Sequence, residues 1–211
     1  MRIECLEWDS AFFGCKVGRY CGHTFREADM ENFFTEFQAG QYDCVYAFLD
    51  PRDAETAEVV GRHRFFLADV RNVYELSPHG SWSAARSSVE YALLRRSSAS
   101  CEESEEVKRI ARELSAVSRF SFDHRFKDRA AALYELWADR FFEERDSGVV
   151  VVRDHGRIAA CVGVQIGAGI GELVLVATGA EFRNRGFGWQ VTHAAIGWLF
   201  EQGARSIIVK T

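Results

Sequence analysis

The chain has 211 residues, 47% of them hydrophobic and 27% charged, with a net charge of −5. This composition suits a soluble globular protein of one large or two small domains, and the acidic balance argues against non-specific nucleic-acid binding, which needs a basic face. No apolar run reaches the ~18 residues that span a bilayer, and the N-terminus lacks a basic-then-apolar leader, so no membrane partner is expected and the cytoplasm is the default location. Six cysteines (Cys5, Cys15, Cys21, Cys44, Cys101, Cys161) are scattered without a C-x-x-C pair, and no Cys/His set has zinc spacing, so no metal is expected.

In chain order, Arg2 to Leu6 and Cys15 to Cys21 read as short strands around an aromatic turn, Trp8 to Gly14. Glu27 to Gln38 has Met30, Phe33, Phe34 and Phe37 at helical spacing, the mark of a core-facing helix. Tyr42 to Leu49 reads as a buried strand. Pro51 can open a helix running to about His63, and Phe65 to Leu76 returns to strand. Residues 77 to 105 change character. Pro78-His79-Gly80 breaks the pattern, one short strand is expected near Val89 to Leu94, and the acidic run from Cys101 to Glu106 leads into a helix, Glu105 to Val117, that Ser104 could cap. These features predict an N-terminal α/β domain over 1–95, a linker over 96–105 and a second domain over 106–211.

In the second half, Ser118 to Phe126 is an aromatic and cationic loop. A strong amphipathic helix follows from Asp128 to about Arg145, with Ser147-Gly148 as its stop. Val149 to Arg153 and Arg157 to Gln165 form a hairpin around Asp154-His155-Gly156. Glu172 to Thr178 is a strand, Trp189 to about Phe200 a helix, and Ser206 to Val209 a last strand. Between that strand and that helix lies Arg183-Asn184-Arg185-Gly186-Phe187-Gly188. Glycines admit a close backbone approach, and the first N–H groups of a helix have no internal partner and sit at the positive end of its dipole. Two arginines beside such a helix start make a diphosphate receptor. A dinucleotide-binding G-x-G-x-x-G turn is excluded, because the third glycine position is Val191.

Arg183, Gly186 and Gly188, with the element order around them, resemble the [QR]-x-x-G-x-[GA] signature of the GNAT acetyltransferase superfamily. The resemblance implies a mixed α/β fold with a mostly antiparallel twisted sheet flanked by helices, and acetyl-CoA as co-substrate. Its diphosphate would be held by Arg183, Asn184, Arg185, Gly186, Phe187, Gly188 and Trp189, and its pantetheine arm by backbone of Val176, Ala177 and Thr178. The segments Trp8-x-Ser10-x-Phe12-Phe13-Gly14 and Ser118-Arg119-Phe120 look like the dTDP-fucosamine acetyltransferase branch, which acetylates a nucleotide-linked amino sugar. The sequence departs from the superfamily pattern at Thr178 and Ala180, where a branched apolar residue and a proline are usual. The superfamily also normally continues past the strand ending near Thr211 with a helix, often bearing a proton-donating tyrosine, and two further strands. The expectation is therefore that this fold lacks its C-terminal part here.

Transfer to an amine needs a general base. Glu172, Asp123 and His124 are candidates, Glu172 foremost; a solvated strand end or a loop cap is the plainer reading of each. His193 and His155 are expected to be packing or surface residues. Arg119, Phe120 and Asp123, with Phe12, are expected to bind the acceptor: arginine for phosphates, aromatics for a base. Phe122, Arg125 and Phe126 share that loop, where core anchoring is equally consistent. Three functions stay open at this point: acetylation of a nucleotide-linked amino sugar, acetylation of another small amine or a protein N-terminus, and a non-catalytic acyl-CoA-binding module. A homodimer is compatible with each.

Overall fold

A computed structural model describes residues 2–77, 90–143 and 146–211, which divide into two compact units, 1–68 and 69–211.

The first unit orders its elements as β1 (Ile3–Cys5), α1 (Glu7–Phe13), β2 (Val17–Tyr20), α2 (Met30–Ala39), β3 (Cys44–Tyr46) and α3 (Ala54–Arg62). Its sheet runs β1-β2-β3, with β1 antiparallel and β3 parallel to β2, so α2 is the crossover of a βαβ unit. The expected aromatic turn at Trp8 is instead the helix α1. Trp8 and Phe12 are one helical turn apart and stack at 5.1 Å, and Gly14 ends the helix at φ 71°. Phe25, Phe33, Met30, Tyr20 and Val59 form the core. Phe34, expected on the same face, is exposed, because it lies about 100° around the helix from Phe33. α3 starts after Asp53 rather than at Pro51. The Asp53 side chain accepts the Thr56 N–H and grips Arg26 through both oxygens (2.9 and 3.0 Å), which brings its carboxyl down to about 2.

The second unit holds β4 (Val73–Leu76), β5 (Ala92–Leu94), α4 (Cys101–Leu114), α5 (Arg119–Phe122), α6 (Lys127–Glu143), β6 (Ser147–Asp154), β7 (Arg157–Gly167), β8 (Ile170–Thr178), α7 (Phe187–Glu201) and β9 (Ser206–Lys210). One six-stranded, mostly antiparallel sheet orders them β4-β9-β8-β7-β6-β5. β4 pairs with β9 and β5 with β6, which places the boundary at 68/69 rather than at 95. α4 begins inside the stretch expected as linker. Ser100, not Ser104, is its cap, in a reciprocal box with Glu103. The expected helix stop Ser147-Gly148 opens β6, where the buried Ser147 hydroxyl donates to the Phe141 carbonyl at 3.0 Å. Pro78-His79-Gly80 and residues 144–145 lie outside the described residues.

The hairpin matches expectation. β6 and β7 are joined by His155 and Gly156, both at positive φ, the two-residue turn whose twist suits paired strands. Residues 149–152 of β6 are buried on both faces, which explains a run of four valines without alternation. Val149 and Val151 pack in a core with Ile110 of α4 and Phe141 of α6. Val150 and Val152 pack in a second core with Val191 and Leu199 of α7. The sheet is therefore the middle of three layers.

Candidate active site

β8 changes its environment halfway along. Its register with β9 runs from Ile170↔Ser206 to Leu173↔Val209 and ends there, while its pairing with β7 continues to Thr178↔Ala160. At the same point β8 carries a bulge: Val164 pairs with Leu173 and Gly163 with Leu175, leaving Val174 extra. The bulge switches faces. Leu173 packs in the core under α7, whereas Leu175 and Ala177 pack in the core under α4 and α6. Val174 and Val176 are left exposed.

Beyond Thr178 the chain makes one short turn, Ala180–Phe182, and enters α7 through Gly186. Gly186 sits at φ 85°, where a side chain is strained, and no side chain caps the helix start. A Cβ there would meet nothing within 4 Å. At Gly188 a Cβ would come within 3.1 Å of Thr178 Oγ1; this glycine lets the helix start press against the end of β8. The two arginines are engaged. Arg183 donates to Glu113 (3.1 Å) and to the Thr178 carbonyl (3.3 Å). Arg185 donates to Asp154 (2.8 Å) and lies over the rings of Phe182 and Phe187. Asn184 takes positive φ in the turn, and Trp189 is 67% exposed, stacked on His193 at 5.1 Å. Ala177 offers only backbone, its methyl being buried.

A cleft of about 610 Å³ opens along the unpaired half of β8. Leu173 to Val176 form one wall, Leu114 to Phe120 a second, and Tyr134, Trp137, Arg140 and Phe141 of α6 a third; Asp69, Arg71, Glu172, Lys210 and Thr211 complete it. Glu172 is 19% exposed. It accepts from Lys210 Nζ (2.5 Å) on one oxygen and from Gln165 Nε2 (3.0 Å) on the other, so both carboxyl oxygens are held in place. Arg119 is 3.6 Å from Asp69 and lies over the Phe120 ring. Burial raises the Tyr134 phenol above its ordinary range, so it keeps its proton at neutral pH.

Of the residues expected to form a site, Glu172, Val176, Arg119 and Phe120 line this one cleft. Phe120 is 97% buried, with its ring edge-on to Trp137 and Phe126, so it is wall rather than a free stacking platform. Asp123 does not line the cleft. Both its oxygens hold Arg125 (2.8 and 2.6 Å), which pulls its carboxyl below the usual range and closes the loop before α6. His124 and His155 are exposed. Phe12 belongs to the first unit, in α1. Sequence reasoning missed Asp69, Arg71, Tyr134, Trp137, Arg140 and Lys210. A signal existed for three of them: 134, 137 and 140 recur every third position on one helix and give a ring, a ring and a guanidinium. Among the described residues no group of three His, Cys, Asp or Glu is placed to hold a metal ion, and no helix is long and apolar enough to cross a membrane.

Residues 108–211, which hold the uncapped helix start, the glycine turn and the half-open strand, match the acetyltransferase (GNAT) family. Two solved structures share the fold over nearly the whole chain. One is a GCN5-related N-acetyltransferase from Kribbella flavida, 20% identical at a TM-score of 0.53, covering 93% of this chain and 71% of that one. The other is a GCN5-related N-acetyltransferase from Sphaerobacter thermophilus, 15% identical at a TM-score of 0.57, covering 94% of this chain and 64% of that one. No curated protein matches the sequence.

Proposed function

We propose that the second unit transfers an acetyl group from acetyl-CoA to the amine of a small acceptor held in the cleft. The observation that carries this reading is the coincidence of two openings: β8 parts from β9 after Leu173, and the α7 mouth lies uncapped just past the other end of that free half. Backbone N–H groups of residues 186–189 suit the diphosphate. The unpaired edge of Val174 to Thr178 suits the amides of the pantetheine arm, and an N–H near Val176 suits the thioester oxygen. Glu172 takes the proton as the amine nitrogen attacks. The C–N bond forms, the C–S bond breaks, and the sulfur leaves as thiolate. Lys210 and Gln165 hold Glu172 in place for that step.

Within this reading the acceptor is a nucleotide-linked amino sugar. Arg119, which also faces Asp69, and Arg140 and Arg71 set guanidinium groups on the cleft, a chemistry suited to phosphates, and Trp137 and Tyr134 line it with rings suited to a base. The test is release of free CoA thiol from acetyl-CoA in the presence of an amine panel that includes a dTDP-linked 4-amino-4,6-dideoxyhexose. Release with the nucleotide sugar above simple amines supports the whole reading. Release with simple amines alone removes the nucleotide acceptor, and CoA binding without release from any amine removes catalysis.

A further inference from the structure

Glu113 stands in the last turn of α4, where a carboxylate faces the negative end of the helix dipole. An acid at that position is unfavourable on its own helix, so its contacts must compensate. They do: Oε2 accepts from the Ala180 N–H (2.8 Å) and from Arg183 (3.1 Å), while Oε1 is 3.5 Å from Arg109. One carboxylate thus ties Ala180 and Arg183 together in the segment that leads from β8 into the α7 mouth. The same segment is fixed elsewhere by Arg157 on Glu181 and by Asp154 on Arg185. Glu113 alone of these acids accepts from a backbone amide of the segment as well as from a signature arginine. It is also immediately followed in sequence by Leu114, the first residue of the cleft wall.

We propose that Glu113 is a positioning residue for the diphosphate-binding turn. It holds the Arg183 guanidinium against the end of β8 and pins the start of the turn through Ala180, so that the amides at the α7 mouth are preformed before CoA arrives. Preforming a loop lowers the ordering cost that binding would otherwise carry. The inference rests on the proposed CoA site. It makes a definite choice between two effects of opposite sign: a carboxylate beside Arg183 could instead compete with the diphosphate and weaken binding.

The experiment compares wild type with Glu113→Ala, Glu113→Gln and, as a control on the same helix, Glu102→Ala. CoA is titrated calorimetrically, and amide hydrogen exchange of residues 179–186 is followed in the ligand-free protein. Glu113→Ala is expected to weaken CoA binding about tenfold, the scale of one lost charge-assisted hydrogen bond. It is also expected to speed exchange across 179–186. Glu113→Gln, which still accepts from Ala180, should fall between it and wild type, and Glu102→Ala should match wild type. In turnover the acetyl-CoA KM should rise while kcat at saturation and the acceptor KM hold. Unchanged or tighter CoA binding in Glu113→Ala overturns the proposal, as does unchanged exchange. Glu113→Gln carries the same comparison if the alanine variant does not fold. A wild type that binds no CoA would remove the proposed function, while the exchange data would still judge the positioning role.

Discussion

The two halves of β8 have the same kind of sequence and opposite circumstances. Ile170 to Leu173 is paired on both edges, by β7 and by β9; among the described residues Val174 to Thr178 is paired to β7 alone. In the first half the strand is a sheet interior, with Gly171 close against Leu199 of α7. In the second it borders a cleft, and its outer edge has no strand partner among the described residues, the Thr178 carbonyl accepting from Arg183 instead. The difference is made by one extra residue, Val174, and by the departure of β9. The amide-rich arm of the proposed co-substrate needs such an edge, and a fully paired sheet cannot supply it.

The contrast can be broken or sharpened by substitution. The largest effect is expected past the open half. Gly186→Asp should abolish CoA binding in a calorimetric titration while leaving circular dichroism unchanged, because Asp tolerates positive φ but sets a negative charge where the diphosphate belongs. Unaltered affinity would mean that the open half does not lead to a diphosphate site. Next comes the junction between the halves. Glu172→Gln should lower kcat about a hundredfold with the acetyl-CoA KM unchanged, the scale expected for loss of a general base. A loss confined to KM would make Glu172 a binding group. The smallest effects concern packing alone. Gly163→Ala, opposite Leu175 at the bulge, drives a methyl to 2.6 Å from the Phe141 ring and should cost about 1–3 kcal/mol by denaturant unfolding. Gly171→Ala meets a Leu199 methyl at 3.0 Å and should cost less, since an aliphatic end yields more readily than a packed ring. The reverse order would show that the paired half is the more tightly packed of the two.

Much of the second unit was legible. The hairpin at Asp154-His155-Gly156, the strand before the glycine turn and the helix after it all follow from turn residues and periodicity, which are local. So does the entry to α7 at Gly186, since glycine takes positive φ at the least cost. What was illegible was non-local. Nothing in Val174 announces a bulge, because two adjacent β-branched or aliphatic residues fit either face. Nothing near Val73 announces that β4 pairs with β9 rather than joining the first unit, and this moved the boundary from 95 to 68/69. The arginines of the turn were read as ligands in waiting, yet Glu113 and Asp154 hold them from elements distant in sequence. α1 was missed for a local reason: an aromatic cluster ending in glycine looks like a turn until the i, i+4 stacking of Trp8 on Phe12 is seen.

The pairing of β4 with β9 has a consequence for biosynthesis. β4 leaves the ribosome early, and among the described residues its one sheet neighbour is the last strand of this sequence to be made. Until then Val73 and Tyr74 must wait without a ladder, so the second unit closes late and through contacts of long sequence separation, the slow class of folding event. A nascent chain stalled before Ser206 would carry the β6–β7 hairpin and a β4 still without its β9 partner.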